Sequence, residues 1–324
     1  MTTTLADFDQ YWQNYPLYPS IGQDGEETFS FSLVLFSIIC LLGMCGNGLV
    51  IWIVVLEERK TVSMIWLLNL SVADFIFTAL LPFTITHQAL GNHWPFGHFL
   101  CKFLPFTNQL TMFASVFTLT AIALDRFISI IFPIWSQNHR TVRLAVAVSS
   151  VVWILAVAPS VPFFLIRKDE EEGGGAICFY NEDEYNLSHL ILARFALAFL
   201  LPFITIAFCY AVITRKVRRR FKRSSDRSCR VTGMVICAFF ICWLPFHVLY
   251  LVHSTTGQYF ATALPLATCL AYANSCINPV LYTFAGRGSY LHIKRRIRLA
   301  LKNFQAEMSN SGSRSESRLS RAIV

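Results

Sequence analysis

Seven long apolar stretches, separated by short polar segments, dominate the pattern of hydrophobic and polar positions along the chain. They run over residues 29–56, 62–90, 98–132, 142–166, 188–213, 231–252 and 259–284. Each is near or above the ~20 residues that an α-helix needs to cross the hydrocarbon of a bilayer. Backbone groups find no water there, so a helix is the form that satisfies them within one segment. The pattern predicts an all-α membrane protein: a seven-transmembrane helix bundle over 29–284, preceded by an extracellular N-terminal tail at 1–28. Residues 285–303 place Leu291, Ile293, Ile297, Leu299 and Leu301 among clustered bases, which predicts an amphipathic cytoplasmic helix on the membrane surface. Residues 304–324 are rich in Ser, Arg and Glu and read as a disordered cytoplasmic tail. They offer Ser309, Ser311, Ser313 and Ser315 for phosphorylation.

Composition agrees. Hydrophobic residues make up 55% and charged residues 14% of the chain, against roughly 25% charged in soluble domains. The net charge of +8 is segregated: the first 28 residues hold Asp7, Asp9, Asp24, Glu26 and Glu27 and no Lys or Arg. A second acidic patch covers Asp169 to Glu172 and Glu182 to Glu184, whereas bases crowd into Arg215 to Arg230 and from Arg287 onward. Because Lys and Arg near helix ends stay cytoplasmic, the N-terminus is expected outside and the C-terminus inside. Opposite sides require an odd number of spans. The start lacks the basic region and short apolar core of a cleavable signal peptide. There is no internal repeat of the transporter kind. Most of the ten cysteines lie in apolar spans as small hydrophobes, but Cys101 and Cys178 fall in segments expected outside.

Candidate chemistry lies in the polar residues inside the spans. Asn47, Asp74, Ser115, Asn274, Ser275 and Asn278 are costly in lipid unless they face the bundle interior and find partners. One carboxylate among neutral oxygens suits a small cation, sodium before others, or an interhelical hydrogen-bond network. Asp125-Arg126 sits where the third span should reach water, and is either a headgroup anchor or a functional pair. Pro82, Pro159, Pro202, Pro245 and Pro279 permit kinks. Trp243 lies beside Pro245, with Phe239 four residues earlier on nearly the same face.

Gly46-Asn47, Leu70-Ser71-Val72-Ala73-Asp74, Cys101, Asp125-Arg126-Phe127, Trp153, Pro202, Cys242-Trp243-Leu244-Pro245 and Asn278-Pro279-Val280-Leu281-Tyr282 occur in this order on seven successive spans. In this the chain resembles the rhodopsin-like (class A) G-protein-coupled receptors. The resemblance implies that Asp125 and Arg126 form the inner switch, Arg126 meeting the G protein when the sixth span swings outward. It implies that Asn278 and Tyr282, with Tyr210, rearrange on activation, and that Cys101 pairs with Cys178; the residues themselves make Trp243, Phe239 and the helix prolines, Pro279 among them, either a pivot for the inner helix ends or mere filling of the bundle. It also implies that Asp74, with Ser115, Asn274, Ser275 and Asn278, holds a structural sodium ion, no other cofactor being implied. Phe127 stands where Tyr is usual, keeping the ring without the hydroxyl. Asn92-His-Trp-Pro-Phe-Gly97, Cys101-Lys102-Phe103, Pro133-Ile-Trp-Ser-Gln-Asn-His-Arg-Thr141 and Asn274 to Pro279 look like the chemoattractant branch of formyl-peptide, chemerin and chemoattractant-type prostaglandin D receptors. By resemblance the partners are an inhibitory heterotrimeric G protein, arrestin on a phosphorylated tail, and an extracellular lipid acid, peptide or chemoattractant protein. Nucleic acid is not among them.

Arg194 stands about six residues into the fifth span, ~9 Å below its outer end by helix rise, and an unpaired cation there wants an anion. The branch carries Arg or Lys at this position against a ligand carboxylate. Gln109 and Leu190 replace Asp and Arg of formyl-peptide receptors, Asn108 replaces the Asp of aminergic receptors, and Tyr272 replaces the Lys of opsins. Formyl peptides, amines and retinal are therefore disfavoured. The remaining pocket candidates are Phe106, Phe113, Phe179, Tyr180, Trp243, His247 and Tyr250, apolar walls that suit an amphipathic acid or a peptide C-terminus. Tyr11, Tyr15 and Tyr18 beside acidic residues are candidates for sulfation, and Asn186-Leu187-Ser188 is a glycosylation acceptor. The rival readings are a non-signalling scavenging receptor of the same fold and, with less support, an ion transporter or a membrane enzyme.

Overall fold

The computed structural model describes residues 23–91, 93–172, 175–180, 187–220, 227–256, 260 and 262–285. The candidate sulfation sites Tyr11, Tyr15 and Tyr18, the acceptor Asn186, the acidic run Glu182 to Glu184, the expected surface helix after 285, the serine-rich tail and the side chain of Tyr282 lie outside the described residues. The chain divides into two compact units, Met1–Pro279 and Val280–Val324. All the described side chains belong to the first unit.

The first two spans are α1 (Gln23–Val55) and α2 (Val62–Ala89), followed by α3 (Gly97–Ile131). A short helix of about two turns, α4 (Pro133–His139), precedes the fourth span, α5 (Val142–Leu165). The fifth span consists of α6 (Leu187–Phe195), a π-helical turn at Ala196–Leu200 and α7 (Leu201–Arg220). The sixth and seventh are α8 (Arg227–Thr256) and α9 (Ala263–Ala285). Six of the seven are long and apolar enough to cross a membrane over the described residues, and α9 completes the set.

Local chemistry fixes where helices start and bend. Thr61 and Thr141 leave the chain extended, and their hydroxyls accept from the Met64 and Leu144 amides at 3.3 and 3.2 Å, capping α2 and α5. In the fifth span the Leu201 N–H reaches back to the Ala196 carbonyl, one residue further than an α-helix allows. Pro202, which has no N–H to donate, comes next, and such bulges gather beside groups that cannot complete the regular ladder.

An antiparallel hairpin of β1 (Arg167–Glu172) and β2 (Gly175–Tyr180) pairs Arg167 with Tyr180 and Asp169 with Cys178. It adds a small sheet to the expected all-helical architecture, and it carries the acidic patch at Asp169. Cys178 is disulfide-bonded to Cys101 on α3, with Cα atoms 5.8 Å apart. The Trp94 amide donates to the Ala176 carbonyl at 2.7 Å, and His98 meets the Asp169 carboxylate. Gly97, where α3 begins, has φ +77°, a left-handed turn that favours glycine.

Polar staples run between the spans. The Asn47 amide donates to the Gly43 and Ser275 carbonyls, both at 2.9 Å. Asn69 donates to Ser149 and accepts from the Trp153 indole at 3.1 Å, joining α2 to α5. At Gly43 an added Cβ would lie 2.3 Å from Thr78 Cγ2, so glycine is what lets α1 approach α2. Large apolar side chains such as Leu41, Ile154 and Ile241 are exposed, as expected of faces turned to lipid tails rather than water.

Candidate functional site

Three places in the bundle combine buried polarity with unusual geometry. The first surrounds Asp74 on α2. The Asn278 amide donates to Asp74 Oδ2 at 2.8 Å, and a small cavity of about 20 Å³ is lined by Asp74, Asn108, Ser115, Trp243, Asn274 and Ser275, among others. That volume holds about one water-sized species and excludes an organic ligand. Asn108, Thr111, Met112 and Ser115 form one stripe of α3 along it. Asn274 Oδ1, Asn278 Oδ1 and Ser71 Oγ are buried without hydrogen-bond partners. Of these residues Asn274 lines the cavity together with the Asp74 carboxylate and the Ser115 and Ser275 hydroxyl-bearing residues, an oxygen-rich set that fits the expected sodium ion.

The second place surrounds Arg194, seven residues after the start of α6. Its side chain is buried, with 6% of the residue exposed. The guanidinium carbon lies 4.6 Å from the Tyr250 ring centroid, 5.1 Å from Phe246 and 6.0 Å from Phe163. Arg194 Nε and Nη2 have no hydrogen-bond partner, and among the described residues no carboxylate pairs with it. Cation–π contacts return about 0.5–2 kcal/mol each, while an uncompensated buried charge costs several kcal/mol. The guanidinium in this cage is therefore buried with its charge uncompensated by any carboxylate among the described residues. Gln109 Oε1 and His247 Nε2 are likewise buried and unpartnered.

A continuous run of rings leads away from the cage. Phe195 stacks on Phe199 at 5.7 Å, Phe199 meets His247 at 5.4 Å, His247 meets Trp243 at 5.8 Å, and Trp243 meets Phe239 at 5.9 Å. Trp243 and Phe239 also wall the Asp74 cavity. Trp243 also meets Phe246 of the cage at 5.8 Å, so a ring contact joins the first two places.

The third place is the opposite end of α3. Asp125 does not pair with its neighbour. Arg140, just after α4, donates from Nε and Nη2 to the two carboxylate oxygens of Asp125 at 2.7 and 2.9 Å. Arg126 instead donates to the Ser63 hydroxyl at 2.9 Å. Lys216 caps the end of α3 by donating to the Ile131 carbonyl at 3.0 Å, and Phe127 packs on Phe208 at 6.2 Å. Tyr210, half-buried on α7, comes near Gly233 on α8.

The expected ligand residues do not all converge. Arg194, His247 and Tyr250 belong to the cage and its ring run. Asn108 lies with the Asp74 cavity and Phe113 packs on Phe117 at 5.7 Å, whereas Tyr272, packed on Phe77 and Phe36 at 4.8 and 5.2 Å, also lies within electrostatic reach of Arg194, as does Tyr180. Phe179 is half-buried on β2. Pro279 is buried, packing near Gly46. The sequence pattern does not single out Phe163 and Phe246 for the cage, although Phe246, four residues before Tyr250, shares its helix face and is open to a periodicity argument. Nor does it single out Arg140 and Ser63.

Residues 46–282 match the family model of the 7 transmembrane receptor (rhodopsin family). The chain is 40% identical to the C3a anaphylatoxin chemotactic receptor of Danio rerio, over 95% of this chain and 88% of that receptor. It is 41% identical to chemerin-like receptor 1 of Homo sapiens, over 79% of this chain and 75% of the relative, and 36% identical to human chemerin-like receptor 2, over 97% and 94%. The chain therefore belongs to the rhodopsin family of seven-transmembrane receptors, multi-pass membrane receptors and not enzymes, and within it to the chemoattractant-type branch.

Proposed function

We propose that this receptor answers an extracellular ligand bearing a carboxylate by activating a G protein of the inhibitory class and directing cell migration. The observation that carries the ligand chemistry is Arg194, buried among Tyr250, Phe246 and Phe163 with Nε and Nη2 unpartnered. A ligand carboxylate entering the cage would convert that cost into a charge-assisted pair. It would press on rings continuous with Trp243 and Phe239, and so favour one of two bundle states by differential affinity. The names of the relatives, which carry C3a anaphylatoxin, chemerin and the word chemotactic, support a chemoattractant role.

In this reading the receptor sits in the plasma membrane with its N-terminus outside, as the charge segregation favours. The hairpin end receives ligand, and Arg126 and Tyr210 at the other end engage the G protein. Sodium, held at Asp74 by Ser115, Asn274, Ser275 and Asn278, favours the resting state, and arrestin reads a phosphorylated tail. The test is a cyclic AMP assay in cells expressing the chain, screened with lipid acids and with peptides carrying free or amidated C-termini. Arg194→Ala should abolish the response to free acids while surface expression persists. An unchanged preference for free acids over amides in that variant would sink the reading.

A further inference from the structure

If Arg126 carries the G-protein contact, what holds it decides how readily it moves. In sequence its nearest carboxylate is Asp125, which the structure gives to Arg140 instead. Both oxygens are taken: the guanidinium fork spans them at 2.7 and 2.9 Å, with side-chain exposures of 28% for Arg140 and 10% for Asp125. Bidentate pairing of this kind is among the stronger charge-assisted arrangements. Among the described residues no carboxylate lies against Arg126. Its Nη2 rests on the neutral Ser63 hydroxyl and its Nε is buried without a partner.

Arg140 is delivered to Asp125 by its own short helix. The Arg140 N–H donates to the Ser136 carbonyl at 2.9 Å, closing α4. Ser136 Oγ donates to Ser129 Oγ at 3.3 Å, and Ser129 Oγ donates to the Asp125 carbonyl at 2.7 Å. The loop helix is thus fastened to the turn of α3 that bears Asp125. A neutral hydroxyl is a weaker partner for a guanidinium than a carboxylate is, so Arg126 on Ser63 is more easily released than Arg126 on Asp125 would be.

We propose that Arg140 is a positioning residue for the Arg126 switch: by occupying both oxygens of Asp125 it denies that carboxylate to Arg126 and keeps Arg126 on a releasable hydroxyl. Removal of Arg140 hands Asp125 to Arg126 and locks the switch. The proposal rests on the reading that Arg126 engages a G protein, and its test separates the two.

The first arm needs no G protein. Thermal midpoints of the purified full-length receptor are measured for all combinations of Arg126→Gln, Asp125→Asn and Arg140→Gln. Arg126 and Asp125 should be uncoupled while Arg140 is present, and coupled by about 2–4 °C once Arg140→Gln is introduced. The second arm measures guanine-nucleotide exchange on an added inhibitory-class G protein in ligand-free membranes matched for receptor number. Arg140→Gln should lower exchange about fivefold, and in an Asp125→Asn background it should have no further effect. Arg140→Lys, which keeps charge without the fork, should fall between. Coupling of Arg126 to Asp125 in the wild type overturns the proposal, and so does an equal fall of exchange in both backgrounds, which would make Arg140 a mere shaper of the loop. If the first arm behaves as expected while no variant, the wild type included, supports exchange, the inhibitory-class reading fails and the handover of Asp125 stands.

Discussion

Arg194 and Arg140 are the same side chain used in opposite ways at opposite ends of the bundle. Arg140 is more exposed and meets a carboxylate with both arms of its fork. Arg194 is almost fully buried, and rings surround it where a carboxylate would be expected. A paired arginine at a helix end fastens one element to another. An unpaired one held among aromatic rings leaves its charge uncompensated inside the fold, at a cost in stability. Partner supply, more than burial alone, separates a tether from a receptor site.

The largest effect should come from removing the uncompensated charge. Arg194→Met keeps length and apolar bulk and deletes the cation. Losing one member of a buried charged pair costs about 2–5 kcal/mol of binding, so potency toward carboxylate ligands should fall by roughly 30-fold to several thousand-fold. The same change should raise the ligand-free thermal midpoint by a few degrees, since it relieves an uncompensated buried charge. Receptor titration and a thermal melt on one preparation check both. A lower midpoint would mean that Arg194 is a structural residue with a partner of its own.

Supplying the missing partner should nearly erase the difference between the two arginines. Tyr250 lies 4.6 Å under the guanidinium, so Tyr250→Glu would give Arg194 an internal carboxylate. Acid ligands would then compete with a tethered anion and lose about 30-fold in potency, roughly 2 kcal/mol. Their amidated counterparts should be affected far less. Equal losses for acid and amide would point to damaged cage shape rather than a satisfied charge.

The contrast also shows what is legible in the sequence. The spans are readable because ~20 apolar residues in a row admit one backbone solution in lipid. Arg194 is readable because a cation inside such a run has few explanations. Asn108 and Gln109 are not separable, since neighbours on a helix differ by about 100° in direction, and only the packed bundle turns Asn108 to the Asp74 cavity. The Arg140 pair depends on where the chain returns 15 residues after Asp125. Nothing local to Asp125 shows that α4 forms and aims its end back at α3. The hairpin is similarly hidden, because a charged strand on the rim carries no apolar alternation to announce it.

Asp74 is the mirror case, a buried carboxylate with no basic residue against it among the described residues. If it holds sodium, exchanging sodium for a larger monovalent cation should lower the wild-type thermal midpoint by about 2–3 °C, a mass-action effect of order 1 kcal/mol. In Asp74→Asn the midpoint should not depend on which cation is present. A wild type indifferent to sodium would leave the hydrogen bond from Asn278 as the whole explanation of the site.

The smallest effect belongs to His98 and Asp169, the ion pair that joins the start of α3 to the hairpin. His98 is 65% exposed, and exposed pairs are worth about 0–1 kcal/mol. The same junction carries the Cys101–Cys178 disulfide, whose 77-residue separation gives about 4.5 kcal/mol by loop entropy. His98→Ala should therefore shift the thermal midpoint by less than about 2 °C at low salt and not measurably at high salt, where screening removes the remaining attraction. Arg140→Gln, which breaks a less exposed and doubly bonded pair, should keep most of its effect at high salt. A salt-insensitive loss at His98 would show that burial by the hairpin, and not pairing geometry, decides what an ion pair contributes in this bundle.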